Sequence, residues 1–398
     1  MISVKEARAI IKEQVSAGNF LQEDRRILDA LGYYLATAPL ATTDVPGFDQ
    51  SAMDGYAIRM AERGVALKVT QENYAGVLSP GELSPGEAVR IFTGAPIPYG
   101  ADTVVVQEKV VRVEDYIRAE DPGLTRGRNI RVKGESIKKG QLLLAKGTRL
   151  TAAKIGLLAS AGVDLVRVYK KPRVSLIVTG SELQIPGRPL VGSQLYDANS
   201  YQLMAALKTD GVDFVFLKRV KDDREAILEA LKQALIDADL IILTGGVSVG
   251  EYDYVVQVLE QLGVERCFYK ICQKPGKPLL FGKTASKFLF GLPGNPAAAF
   301  GCYQLYVRQA IRGLCGASDI FEQPPLAHLQ EAFEKPAGNT YFLKGYFNND
   351  WVEILKEQQS YKLSSLARAN CLIELPSEAS VIKKGELVGI HFLSQEYV

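Results

Sequence analysis

Leu240-Ile241-Ile242-Leu243-Thr244-Gly245-Gly246-Val247-Ser248-Val249-Gly250-Glu251-Tyr252-Asp253 carries an unbroken apolar segment into a glycine-rich turn and on to two acids. A strand that is apolar at every position is buried on both faces, the condition of a parallel strand inside an α/β sheet. The pattern recurs on either side. Val174–Val178 leads into Thr179-Gly180-Ser181-Glu182-Leu183, and Phe288–Phe290 into Gly291-Leu292-Pro293-Gly294-Asn295-Pro296. Open α/β sheets gather such turns on one edge, so segments distant in sequence are expected to share one cleft. The expectation is a three-layer α/β sandwich over 171–320. Its strands are Val174–Val178, Phe214–Leu217, Leu240–Thr244 and Phe288–Phe290; its helices are Asn199–Lys208, Asp223–Ile236, Tyr252–Leu262 and Ala297–Ile311.

The flanking sequence reads differently. Ser3-Val4-Lys5-Glu6 is a capping-box pattern, followed by Val4, Ala7, Ile11 and Val15 at helical spacing. A second helix is expected over Arg25–Leu35 and a Pro-containing linker over Pro39–Gln50. From Ser51 to Leu144 short β-branched segments (Ala66–Thr70, Ala88–Phe92, Thr103–Gln107, Val110–Val113) alternate with Gly and Pro, which predicts a β-rich unit. Thr151–Gly162 returns to a helical pattern and is expected to pack on the N-terminal helices. This gives a discontinuous helical and extended N-terminal domain (1–47 with 145–170) around an inserted β-rich domain (48–144). Pro324-Pro325 marks the start of a C-terminal β domain, 321–398, with antiparallel strands Tyr341–Phe347, Val352–Leu355, Cys371–Leu375 and Leu387–Phe392.

Composition excludes several function classes. Across 398 residues, 47 Lys+Arg against 45 Asp+Glu leave a net charge of +2, with no general pull toward nucleic acid or an acidic membrane. No segment approaches the roughly 20 apolar residues of a membrane span, and Met1–Glu6 has no apolar signal core. Five cysteines without C-x-x-C spacing suit a reduced chain, and a cytoplasmic location is expected. The two histidines, His328 and His391, lie outside every glycine-rich motif, which argues against a Ser-His-Asp triad or His-ligated zinc. Chemistry is left to carboxylates, lysines, backbone dipoles and an oxygen-ligated ion such as Mg²⁺.

Each motif has a plain and a functional reading. Thr244–Gly250 is either a flexible turn or a cradle of inward N–H groups for an anion, and Glu251 and Asp253 favour the cradle. Lys274-Pro275-Gly276-Lys277-Pro278 cannot be helix interior; it is a solvated turn or a stiff loop presenting two ammonium groups. Asn295-Pro296 caps a helix, with Gly294 open to close approach by a planar ligand. After the first strand, Ser181 is a helix cap or Glu182 faces the cleft. Phe48–Tyr56 reads as a tight turn carrying an acid. The basic run Arg126–Lys133, without aromatic interleaving, reads as a solvated loop or a local anion contact.

Five motifs in order carry a resemblance: Ser51-Ala52-Met53-Asp54-Gly55-Tyr56, Thr93-Gly94-Ala95-Pro96-Ile97-Pro98, Gly245-Gly246-Val247-Ser248-Val249-Gly250, Pro275-Gly276-Lys277-Pro278 and Leu292-Pro293-Gly294-Asn295-Pro296. Over essentially the whole chain the sequence resembles the molybdopterin molybdenumtransferases, the molybdenum insertase family that includes the E domain of gephyrin. The resemblance implies an elongated four-domain protomer, a homodimer, and insertion of molybdate into adenylated molybdopterin with Mg²⁺-dependent release of AMP. It implies Glu182, Asp222 and Asp253 around the metal and nucleotide, and Lys274 and Lys277 on phosphate or molybdate oxygens. Asp54 and Thr93 are implied as catalytic groups reaching the partner's cleft. Arg131, Gly245, Gly246, Ser248, Gly250, Pro293, Gly294, Asn295 and Ser365 are implied as ligand contacts. The upstream adenylyltransferase and recipient apo-molybdoenzymes are implied as partners. Gln50 stands where the family usually has Asn, Ser136 where many members have Asp, and 358–365 lacks the usual Gly and His-or-Gly neighbours of its serines. Two other functions fit the same sandwich: adenylyl transfer from ATP to molybdopterin, and a non-catalytic scaffold of the gephyrin type. The extra domains speak against the first, and the lack of a long linker or second module against the second.

Overall fold

The computed structural model describes residues 1–16, 21–77, 80–212, 214–246, 254–317 and 320–393. At its centre is a six-stranded sheet in the spatial order Phe214–Val220, Val174–Thr179, Leu240–Thr244, Phe288–Leu292, Leu280–Lys283, Glu265–Tyr269. The first four strands are mutually parallel. Alternate residues of Leu240–Thr244 serve opposite faces. Leu240 and Ile242 join a core with Leu203, Tyr303 and Ile311, while Ile241 and Leu243 join one with Ile227, Leu231 and Val258. Both faces are therefore covered by helices, and this is the three-layer α/β sandwich expected from the apolar strands.

The sheet continues beyond the expected strands with Leu280–Lys283, antiparallel to Phe288–Leu292, and Glu265–Tyr269, antiparallel in turn to Leu280–Lys283. Their direction matters for the site. Leu280 pairs with Gly291, so the antiparallel strand brings its N-terminal end to the carboxyl edge of the parallel strands. The loop before it, Lys274–Pro278, is thereby delivered to the edge where the glycine turns lie. The helix after Asn295 is also not continuous. Pro296–Cys302 and Arg308–Leu314 are joined by a π-helical turn over Tyr303–Val307.

The first helix, Val4–Ser16, starts with a reciprocal cap. Ser3 N donates to the Glu6 carboxylate at 2.7 Å, and Glu6 N to Ser3 Oγ at 3.1 Å. Val4, Ala7, Ile11 and Val15 are buried as their spacing requires, but in the sandwich core with Tyr306 and Ile311. The expected packing of 151–162 on the N-terminal segment is met at Ala30 and Leu35 but not by this first helix, whose buried residues lie in a different cluster. The expected helix over Arg25–Leu35 is replaced by the strand Gln22–Arg26, paired antiparallel with Leu165–Tyr169, and a single 3-10 turn at Ile27–Ala30. A pairing partner about 140 residues away overrides local helix propensity there. Helix Ala152–Ser160 packs through Leu158 with Ala30, Leu35 and Val166. The expected linker Pro39–Gln50 is pinned by bridges Leu40–Leu142 and Val45–Ile137.

The β-rich unit forms a six-stranded sheet in the order Thr103–Val106, Gly55–Ile58, Glu87–Ile91, Leu67–Asn73, Tyr116–Ala119, Val110–Val113. The C-terminal strands close on themselves: Thr340–Asn348, Trp351–Ile354, Leu326–Leu329, Leu387–Phe392 and Cys371–Leu375, with the last pairing the first. This barrel is not wholly antiparallel, because Leu326–Leu329 runs parallel to Trp351–Ile354. Two links tie it to the sandwich. Gln273–Lys274 adds to it as a parallel strand beside Thr340 and Tyr341. Arg8 on the first helix meets Glu374 on the barrel in a bidentate pair, 3.2 and 2.9 Å.

Candidate active site

A cleft of about 1420 Å³ opens between the carboxyl edge of the sandwich sheet and the barrel. Its floor is built by the turns after three parallel strands. Gly245 and Gly246 adopt φ of +87° and +65°, and a Cβ on Gly245 would lie 2.4 Å from the Thr179 carbonyl oxygen. Only glycine fits so close to the neighbouring strand's end. Gly294 is different: its nearest neighbour to an added Cβ is the Gly245 Cα at 4.0 Å. It therefore leaves a bare backbone surface on the cleft.

Buried Asn199 locks these turns together. Its Nδ2 donates to Thr244 Oγ1 at 2.9 Å and to the Gly294 carbonyl at 2.8 Å. Thr244 Oγ1 donates in turn to the Pro293 carbonyl at 3.1 Å. Among the described residues, Asn199 Oδ1 and Thr179 Oγ1 are buried at the cleft without a hydrogen-bond partner. Buried polar atoms of this kind call for a partner beyond those residues. The helix bearing Asn199, Ala198–Thr209, is capped by Asp197, whose carboxylate also accepts from Arg219 at 2.7 Å. Ser181 therefore does not cap it; its hydroxyl instead accepts from Asp222 N at 3.4 Å.

One wall is the Lys274–Pro278 loop. Buried Gln273 shapes it, donating from Nε2 to the Pro275 and Gly276 carbonyls at 3.0 and 3.2 Å while accepting from the Tyr306 hydroxyl. Gly276, at φ +87°, has no room for a Cβ against Cys302 Sγ and Gln273 Nε2, each 2.6 Å away. The facing wall comes from the barrel: Lys335, Tyr341, Ser360 and Tyr361. Lys344 holds that wall, its buried ammonium donating to the carbonyls of Glu357, Gln359 and Lys362 at 2.7, 3.1 and 3.1 Å. Ala297 N donates to the Ser360 carbonyl at 3.0 Å, so Asn295 occupies the cap position without a side-chain capping bond.

Of the residues singled out from sequence, Glu182, Asp222, Gly245, Gly246, Lys274, Lys277, Pro293, Gly294 and Asn295 line this one cleft. Ser248, Gly250 and Asp253 lie outside the described residues. Ser365 is not in the cleft. It is buried with its hydroxyl donating to the Glu357 carbonyl at 2.8 Å, and Ser360 lines the wall instead. Asp54, Thr93 and Arg131 are absent from the cleft; Asp54 and Thr93 meet at the end of the β-rich sheet, and Arg131 lies on the neighbouring strand pair. Gly55 pairs with Ile91, which sets Asp54 beside Thr93, and Arg131 lies opposite Gln50. Thr93 donates its N–H and hydroxyl to Asp54 Oδ1 at 2.7 and 2.8 Å. These bonds, the backbone one first, hold the exposed Asp54 carboxyl below its ordinary range. A Cβ on Gly55 would sit 1.9 Å from the Val105 carbonyl oxygen, which explains the glycine of that motif.

Sequence reasoning missed Asn199, Gln273, Tyr341 and Lys335. For Lys335 a signal existed, since Lys335-Pro336 echoes the Lys-Pro pairs of the opposite wall. A divalent ion fits the donor set in kind. Glu182 and Asp222 bring carboxylates to the cleft, as a hard cation shared with ligand phosphates requires. Among the described residues no group of three His, Cys, Asp or Glu is placed to hold a metal without such sharing.

A three-layer sandwich with glycine and lysine loops at its carboxyl edge, faced by a β barrel, defines an α/β protein with a cleft suited to an anionic ligand. The chain matches the MoeA N-terminal region (domain I and II) over residues 2–162, a probable molybdopterin binding domain over 175–313 and the MoeA C-terminal region (domain IV) over 327–393. The molybdopterin molybdenumtransferase of Staphylococcus aureus is 34% identical over 91% of this chain and 88% of that protein. That of Staphylococcus epidermidis is 34% identical over 98% and 95%. The molybdopterin biosynthesis moeA protein from Pyrococcus horikoshii OT3 superposes with a TM-score of 0.84 at 30% identity, covering 98% of this chain and 100% of that one. The chain belongs to the molybdopterin molybdenumtransferase family, and is an enzyme of molybdenum cofactor biosynthesis.

Proposed function

We propose that this enzyme takes adenylated molybdopterin and molybdate in the cleft, inserts the metal into the dithiolene and releases AMP, with Mg²⁺ required. The observation that carries the reading is the convergence of Gly245, Gly246, Lys277 and Gly294 on one cleft. Backbone N–H groups and ammonium groups there suit phosphates and an oxyanion, and a side-chain-free surface at Gly294 suits a flat pterin.

The protein's own contribution is positioning. Lys274 and Lys277 hold oxyanion oxygens near the ligand's sulfurs, and the glycine turns fix the pterin so that thiolates and molybdate meet in reactive geometry. Glu182 and Asp222 would hold the magnesium ion, which when bound neutralises charge on the phosphoanhydride as it breaks. Asp54, Thr93 and Arg131, remote from their own protomer's cleft, complete the cleft of a second copy in a homodimer. The division into four domains stands as part of this proposal, with the first helix assigned to the sandwich.

The test is incubation with adenylated molybdopterin, Mg²⁺ and molybdate, following AMP. Molybdate-dependent AMP release supports the reading. Consumption of ATP with pyrophosphate formation on molybdopterin, without molybdate dependence, would replace it with adenylyl transfer.

A further inference from the structure

Lys335 lies on the barrel wall of the cleft and is only 5% exposed. Its backbone is fixed where Phe333–Glu334 pairs with Val381–Ile382, and Lys335 N donates to the Ser380 carbonyl at 2.8 Å. Its ammonium has three protons to donate. One reaches the Asn339 carbonyl at 3.1 Å, and the group lies 5.1 Å from the Tyr341 ring centroid. No carboxylate pairs with it among the described residues. Lys274, whose strand pairs with Tyr341 at the barrel's edge, places its own Nζ 5.4 Å from the same ring. Two like charges on one ring stay within roughly 10 Å, about one Debye length at moderate salt. Glu378 acts on the Lys335 ammonium only from beyond ion-pair distance, so its burial is incompletely compensated, and a second cation beside it adds to that cost. An anion between them offsets both.

We propose that Lys335 is a third anion-binding cation of the cleft, supplied by the barrel, which receives an oxyanion or phosphate oxygen of the ligand together with Lys274 at Tyr341. The inference rests on the insertase reading of this cleft and adds a specificity determinant from the facing wall.

Calorimetry on the full chain tests this, with molybdate alone and AMP alone as probes, on wild type, Lys335→Gln and Lys335→Arg. One charge-assisted hydrogen bond is worth roughly tenfold in affinity. Lys335→Gln is expected to weaken one or both probes by that factor, and Lys335→Arg to restore most of it. Loss for molybdate only assigns the position to the free oxyanion; loss for AMP only assigns it to the ligand's phosphate. The thermal midpoint of Lys335→Gln should be unchanged or higher, since a desolvated charge is removed. A lower midpoint with unchanged affinities would make the residue structural and overturn the proposal. Burial holds the Lys335 amine below the ordinary lysine range, Glu378 opposing this. Probe affinity should therefore fall on an alkaline limb that Lys335→Arg moves to higher pH, while Lys274, Lys277, Glu334, Tyr341 and Glu378 remain in place. An unmoved limb overturns the proposal even if the glutamine variant fails to fold. Wild type that binds neither probe refutes the insertase reading itself.

Discussion

The side-chain amide of Asn199 donates to the carbonyl oxygen of Gly294 at 2.8 Å, joining the first turn of one helix to the turn that precedes another. The same amide reaches Thr244, so one side chain sets the spacing of two ligand-facing turns. Replacing Asn199 with Ala should leave the Gly294 carbonyl and Thr244 hydroxyl short of a partner and cost about 1–3 kcal/mol. Denaturant unfolding measures this, and a change below about 0.5 kcal/mol would mean the turns hold each other unaided.

Two glycines of the floor should respond oppositely to alanine. Gly245→Ala forces a Cβ toward the Thr179 carbonyl at positive φ; strain on the order of 2 kcal/mol or more should lower the unfolding midpoint. Gly294→Ala meets nothing closer than 4.0 Å and should keep its stability, yet lose affinity for adenylated molybdopterin by steric exclusion. Wild-type binding by Gly294→Ala would remove that surface from the ligand site.

Asp54→Ala is expected to retain adenylated molybdopterin but to block AMP release. Mixing it with Lys277→Ala should then restore activity that neither variant shows alone, because a mixed dimer carries one cleft with both residues intact. Failure of the mixture, with subunit exchange verified, would mean that Asp54 and Lys277 act within one protomer or in unrelated sites.

Glu374 links the first helix to the barrel. Burial opposes its ionisation, but His391 at 2.6 Å and the Arg8 charge overcome this and bring its pKa down to about 2. A carboxylate depressed in the folded state stabilises fully above the unfolded value near 4.5, and that stability is lost as pH falls toward 2. The contribution is on the order of 3 kcal/mol. Glu374→Gln should lower stability at neutral pH and flatten the acid limb between these values in pH-dependent denaturation.

Much of this was legible in the chain. The apolar run Leu240–Thr244 announced a two-faced buried strand, Ser3 and Glu6 announced a helix start, and the lysine and glycine loops were recognisable as pieces that meet in one cleft. The failures share a cause. Gln22–Arg26 forms a strand only because Leu165–Tyr169 pairs with it, and Leu280–Lys283 runs antiparallel only because Phe288–Leu292 is its neighbour. Ser365 kept the residue type of a hydroxyl contact, yet the carbonyl of Glu357 occupies it. None of these partners is visible in a local window.

By itself the sequence determined which segments are buried, where helices begin and which loops must be glycine or proline, since these follow from local backbone sterics and the spacing of apolar side chains. The tertiary structure alone decided that Lys274 and Lys335 share the Tyr341 ring, that Asn199 bridges two turns, and that Asp54 stands apart from the cleft. Those relationships depend on which distant strands pair and in which direction. That choice is made by the free energy of the whole packed core, not by any segment of it.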